Sequence, residues 1–200
     1  LTGRLETSLL KLVLADLQLA GGDALSVYWQ REREVLDQPF TVVGNLVIEP
    51  GIYHFERFGM VLTGAGFRRI SPTLRLEGGE FFGGRRLDAS LRSTWTPNRH
   101  LLFDATYAVN RLQVDAGSFT TRLMSLRANV AFNVRWAWSN SVQYDNVSER
   151  LGFSSRLRYV PRLGQSLTLA VNHDLELDQE ERFNSQQREI SARASYTFRY

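Results

Sequence analysis

From Ile190 onward the chain alternates without a break. Ile190, Ala192, Ala194, Tyr196, Phe198 and Tyr200 fall on one side, and Ser191, Arg193, Ser195, Thr197 and Arg199 on the other. Successive side chains of an extended strand point to opposite faces, so this spacing specifies a strand with one apolar and one polar face; a helix would scatter both sets around its circumference. The period recurs upstream. Leu167, Leu169 and Val171 alternate with Ser166, Thr168 and Ala170, and Leu87, Ala89 and Leu91 with Asp88, Ser90 and Arg92. Leu101, Phe103, Ala105, Tyr107 and Val109 oppose Asp104 and Thr106. No stretch sustains a helical period. The pattern predicts eleven strands, at 4–19, 24–36, 52–63, 72–77, 86–95, 101–110, 120–132, 136–144, 151–159, 166–174 and 189–200. Such a series reads as an all-β antiparallel meander. The strands at 4–19 and 52–63 fit least cleanly, because both of their faces mix apolar and polar residues.

The connections carry a second pattern: alternate ones differ in expected length by about a factor of two. "NVR" (133–135) and "TPNRH" (96–100) make tight turns at one end of the sheet, while "LELDQEERFNSQQR" (175–188) makes a long polar loop at the other. Short periplasmic turns and long external loops are the asymmetry of an outer-membrane barrel. A soluble sandwich would alternate too, with its apolar face as core. Aromatics decide in favour of lipid. Trp95, Phe132, Trp136, Tyr159 and Tyr200 gather at the tight-turn end, where an outer-membrane barrel places its interfacial girdle. The last strand also ends flush on an aromatic, as in the C-terminal signal read by the bacterial barrel-insertion machinery.

The sequence therefore predicts an antiparallel transmembrane β-barrel of the bacterial outer membrane, whose apolar face meets lipid. Its other face would line the lumen with Arg75, Arg86, Arg92, Arg127, Arg156, Arg158, Arg193 and Arg199, against Glu77, Asp88 and Asp104. Single-chain bacterial barrels have an even strand number, and an open edge in hydrocarbon leaves unsatisfied amides. Eleven strands are thus expected to be the C-terminal part of a larger barrel, with further strands before Leu1.

Composition narrows the remaining classes. With 22% charged residues and no long apolar run, a helical membrane protein is excluded. Cysteine is absent, so there is no thiolate ligand or thiol nucleophile. One of the 24 basic residues is lysine (Lys11) and the rest are scattered arginines, without the basic block expected of a nucleic-acid partner.

His54, His100 and His173 stand in no metal-ligand spacing and in no catalytic motif. A lipase of the outer membrane would need a Ser–His pair on the lipid face, a role left open to His173. The acidic run Glu176, Asp178, Glu180 and Glu181 lacks the glycine turn of a calcium loop and reads as solvated. "GGEFFGGRR" (78–86) is a glycine-rich loop joining two strands, without the strand-to-helix setting of a phosphate cradle. No cofactor, metal or catalytic residue is expected.

Four stretches carry a family resemblance: "EREVLDQPFTVVGNLVIEPGIYHFERF" (32–58), "GGEFFGGRR" (78–86), "WTPNRHLLFDATYAVNRLQV" (95–114) and "SVQYDNVSERLGFSSRLRYVPRLGQSLTLAVNHD" (141–174). Together they resemble bacterial outer-membrane proteins in which a carbohydrate-binding-family-nine-like domain precedes a C-terminal barrel domain of unknown function. The resemblance runs from about residue 30 to the end, and its most specific part is "QYDNVSERLGFSSRLRYVPRLG". It implies an N-terminal part absent from this chain and a link to saccharides, and it brings no catalytic residues. The expected function is passage or uptake of solutes, saccharides among them. The alternatives are a plugged barrel that anchors a carbohydrate-binding domain, and an outer-membrane hydrolase.

Overall fold

The structure, a computed structural model, describes residues 7–42, 47–114, 117–177 and 182–197. Its elements are β1 (Thr7–Gln18), β2 (Ala24–Leu36), β3 (Phe40–Thr41), β4 (Val47–Ile48), β5 (Gly51–Thr63), β6 (Ile70–Phe81) and β7 (Gly84–Asn98). They continue with β8 (Leu101–Val114), β9 (Gly117–Ala131), β10 (Trp136–Asp145), β11 (Arg150–Tyr159), β12 (Gln165–Leu177) and β13 (Phe183–Tyr196). Eleven of these form one antiparallel meander in the order β1-β2-β5-β6-β7-β8-β9-β10-β11-β12-β13, and β3 and β4 make a separate ladder. The fold is all-β, with no helix among the described residues. The eleven expected strands all form. Arg199 and Tyr200, at the end of the last expected strand, lie outside the described residues, as do Asp178, Glu180 and Glu181.

The expected loop asymmetry does not hold. Residues expected in long connections are instead paired: Leu175, Glu176 and Leu177 face Ser185, Asn184 and Phe183 across β12 and β13. The strand expected at 72–77 runs from Ile70 to Phe81, and that at 86–95 from Gly84 to Asn98. Hydrogen-bonded pairing continues past the apolar stretch, where both faces turn polar and alternation of hydrophobicity no longer marks the strand. Between β2 and β5 the chain carries β3 and β4, the longest separation between neighbouring strands of the meander.

Side-chain oxygens close several turns. Asp145 Oδ1 accepts from the amides of Val147 (3.0 Å) and Ser148 (2.8 Å), and its Oδ2 accepts from the Ser148 hydroxyl at 2.6 Å. These bonds, that of the Ser148 hydroxyl first, hold the Asp145 carboxyl below the ordinary carboxylate range. Asn133 Oδ1 accepts from the amides of Arg135 and Trp136 in the same manner. The β6–β7 turn is Phe82–Gly83, with φ of 43° and 77°. Two positive φ values in a two-residue hairpin match the right-handed twist of the strands, but they strain a phenylalanine. Packing compensates: Phe82 is buried, with its ring centroid 4.8 Å from both Tyr53 and Phe55 and 4.7 Å from Phe81. "GGEFFGGRR" is therefore a hairpin, with Gly78 and Gly79 inside β6 and Gly84 inside β7, and not a loop.

A bulge explains the mixed faces of β1. Lys11 pairs with Gln30 and Val13 with Tyr28, then the register shifts and Asp16 pairs with Ser26. One extra residue puts odd positions on the polar face before the bulge and even positions after it.

By its contacts the chain divides into two units, residues 1–66, 72–91 and 108–121 in the first and 67–71, 92–107 and 122–200 in the second. The buried cluster of the first is Ile48, Phe55 and Phe82, with Leu36, Val42, Tyr53 and Phe81 around it. Ile48, on β4, thus lies over one end of the face that Phe55 shares with Arg57 and Gly59.

Candidate functional site

The chemistry of this chain lies on the polar face of each unit. In the first, Gln30 pairs with Arg57, and Gly59 lies between Tyr28 on one side and Glu77 on the other, so these residues point the same way. Tyr28 donates its hydroxyl to Glu77 Oε2 at 2.6 Å, and Gln30 Nε2 donates to Glu77 Oε1 at 3.2 Å. Arg57 lies between two carboxylates: it pairs with Glu32, and its Nη1 lies 3.3 Å from Glu77 Oε1. Gly59 makes room for this arrangement, since a Cβ there would fall 2.1 Å from the Tyr28 ring. Lys11 Nζ covers the same ring at 3.6 Å from its centroid.

Arg75 shares this face, opposite Val61. On β7, Arg86 Nε pairs with Asp88 Oδ2 at 2.6 Å while its guanidinium lies over Phe81. With the Asn110 amide turned so that its nitrogen donates to Asp88 Oδ1 (2.9 Å) and its oxygen accepts from Thr121 (2.9 Å), the network continues across β8 and β9. The first unit's polar face thus carries two sets of charge-assisted hydrogen bonds, one around Glu77 and Arg57 and one around Asp88.

The second unit is arranged differently. Registers from β9 to β13 put Arg127, Ser141, Ser154, Asn172 and Glu189 in one row across the sheet. Asn129, Ser139, Arg156, Ala170 and Ser191 form the next, followed by Ala131, Ala137, Arg158, Thr168 and Arg193. Arg158 and Arg193 flank Thr168, and Arg156 precedes Arg158 by two residues on β11. Among the described residues none of Arg92, Arg127, Arg156, Arg158 and Arg193 forms an ion pair. Asp104 is engaged by the Thr94 hydroxyl at 2.7 Å. Towards the β10–β11 turn the charge reverses. A hollow of about 510 Å³ is lined there by Asp145, Asp174 and Glu189 with Arg150, and by the amides of Asn172 and Gln187.

Ten of the eleven expected lumen residues therefore stand on the polar face of their unit, and the eleventh, Arg199, is outside the described residues. Sequence reading missed Tyr28, Gln30, Glu32 and Arg57, although Gln30, Glu32 and Glu34 alternate along β2 and could have signalled it. It also missed the acidic hollow, whose carboxylates come from three strands, β10, β12 and β13.

The opposite face is apolar and uncovered. Leu169 is 48% exposed, Ile190 67% and Phe58 59%. Trp136 stacks on Tyr159 at 4.3 Å and Trp95 on Phe103 at 5.1 Å, on this face and at the ends of their strands. His173 also points this way, with its Nε2 2.9 Å from the Ser185 hydroxyl. No other hydrogen bond orients its ring among the described residues. His54 lies on the apolar face of β5, and His100 sits in the β7–β8 turn with its Nδ1 2.8 Å from the Ala131 carbonyl. Among the described residues no cluster of histidine and acidic side chains could hold a metal.

No family model and no curated protein matches this chain. Among solved structures it is similar to a KdgM porin in complex with disordered oligogalacturonate, at 10% identity and a TM-score of 0.38, over 96% of this chain and 92% of that one.

Proposed function

We propose that this chain forms part of a bacterial outer-membrane β-barrel whose polar face lines a path for hydroxyl-rich, acidic solutes. The observation that carries the reading is the division of one sheet into two unlike faces. Large apolar side chains stand uncovered on one face from strand to strand, an arrangement that water penalises and lipid rewards. On the other, Arg156, Arg158 and Arg193 share one face of β11 and β13 and have no carboxylate partner among the described residues. Unneutralised guanidinium groups bias permeation towards anions and offer paired donors to carboxylates and hydroxyls. Saccharides carrying carboxylates suit this chemistry, and the family resemblance points the same way. The test is conductance of the purified protein in planar bilayers, with reversal potentials read under a salt gradient. Anion selectivity that falls when Arg156, Arg158 and Arg193 are replaced by glutamine is expected; cation selectivity would refute the reading.

Two other readings each have one observation in their favour. Ile48 of β4 packs over the polar face of the first unit, as a plug would, which favours a non-conducting barrel that anchors a carbohydrate-binding domain. Correctly inserted protein without conductance would decide for it. The Ser185–His173 contact on the apolar face favours a lipid hydrolase. Release of fatty acid from phospholipid vesicles, lost in Ser185→Ala, would decide for that.

A further inference from the structure

The apolar face carries its own arginines, and they stand at particular heights. On β7 the outward positions run Arg85, Leu87, Ala89, Leu91, Ser93, Trp95. At roughly 3.3 Å per residue and a tilt of about 40°, the ten steps from Arg85 to Trp95 rise about 25 Å, the height of the apolar band of an outer-membrane barrel. Trp95 marks one boundary, and Arg85 stands at the other. Other strands repeat the order. Arg111 follows Tyr107 and Val109 on β8, and Arg122 precedes Met124 and Leu126 on β9. Arg188 precedes Ile190 on β13, next to His173 of β12. In each case the basic residue lies beyond the apolar run, at the end away from Trp95, Trp136 and Tyr159.

In the first unit two of these arginines share a recess. A hollow of about 650 Å³ opens between β6, β7 and β8, lined by Arg85, Arg111, Gln113, Glu80 and Leu87 around Gly78. Gly78 leaves the gap because it has no side chain; a Cβ there would reach Leu87 at 3.4 Å. Arg85 and Arg111 form no ion pair among the described residues, and Glu80 is engaged by the Glu56 amide at 3.2 Å. Leu87 leads from the recess down the apolar run of β7. Two free guanidinium groups, an amide and an apolar floor together match a phosphate joined to acyl chains.

We propose that this recess binds the phosphorylated headgroup of an outer-leaflet glycolipid, with Arg85 and Arg111 on the phosphate and acyl chains lying along Leu87, Ala89 and Leu91. The proposal rests on the outer-membrane reading. It assigns the end of the strands that carries these arginines to the outer leaflet.

The test compares the wild type with an Arg85→Gln/Arg111→Gln variant, both folded into phosphatidylcholine vesicles that contain lipid A, dephosphorylated lipid A or neither. Folding is read from strand content and protease protection, and binding from co-purification of lipid A and its concentration dependence. Lipid A should be retained by the wild type and the dephosphorylated form should not. The double variant should bind roughly thirtyfold more weakly at unchanged insertion, since each arginine at a charged membrane surface contributes about 1 kcal/mol. Insertion with equal retention of both lipids, or equal retention by both proteins, would overturn the headgroup site and leave the membrane reading standing. Saturable binding of inorganic phosphate without preference for lipid A would also overturn it. Failure of the wild type to insert in any vesicle would overturn both readings.

Discussion

Arginine substitutions down β12 should measure the depth of the apolar face. Leu167, Leu169 and Val171 point to that face in succession, with Leu167 opposite Tyr159, which itself stacks on Trp136. The girdle therefore fixes the level of Leu167. Each residue along a strand tilted by about 40° adds roughly 2.5 Å of depth, so Leu169 lies about 5 Å and Val171 about 10 Å inside the girdle, close to the middle of a 25 Å band. An arginine near the midplane of a barrel's lipid face costs about 2–4 kcal/mol and near the interface about 0–1 kcal/mol. The cost should climb from Leu167→Arg through Leu169→Arg to Val171→Arg. In a soluble protein Leu167 and Leu169, each half-exposed, would tolerate the change within about 0.5 kcal/mol. Thr168→Glu is the companion on the opposite face. Placed between Arg158 and Arg193, its carboxylate should leave stability within about 1 kcal/mol of the wild type or raise it. Reversible unfolding from phospholipid vesicles by guanidinium, followed by tryptophan fluorescence, gives each value. Equal costs at all three positions, or the largest at Leu167, would refute both the facing of the strand and the depth scale.

Other substitutions test the polar face and the turns. Arg57→Met leaves Glu32 and Glu77 without their shared cation at 21% and 17% side-chain exposure, and should cost about 3 kcal/mol in chemical unfolding. Gly59→Ala drives a methyl into the Tyr28 ring and should cost about 1–3 kcal/mol, less in a Tyr28→Ala background, as a double-mutant cycle would read. Ser148→Ala removes the bond that contributes most to the lowered Asp145 pKa. Its titration should move up towards the ordinary carboxylate range, followed by the carboxyl carbon shift. Because the folded pKa is the lower one, the stability contributed by this turn is present above the unfolded value and is lost as pH falls through the folded one.

How much of this is legible in the sequence differs from strand to strand. In β10, β11 and β12 alternation is strict, and the registers put Arg156 and Arg158 on the face that the period assigns. In β1 a single extra residue inverted the period halfway, and no sequence pattern separates a bulge from a poor strand. The hairpin extensions were also hidden: where both faces of a strand are polar, pairing continues on backbone hydrogen bonds that leave no mark on hydropathy.

Class and sidedness are legible in the residues alone: strands rather than helices, eleven of them in chain order, each with an apolar and a polar face. That information is local, since a period of two is written in consecutive residues. Which charges neutralise one another was decided by the tertiary structure alone. Arg57 meets Glu32 and Glu77 because register brings three strands together, while Arg158 and Arg193 meet Thr168 and form no ion pair among the described residues. The recess at Gly78 likewise depends on residues up to 35 positions apart, Gly78 to Gln113, converging on one level of the sheet. Register is a relation between strands, and a one-residue slip would send every one of these side chains to the other face.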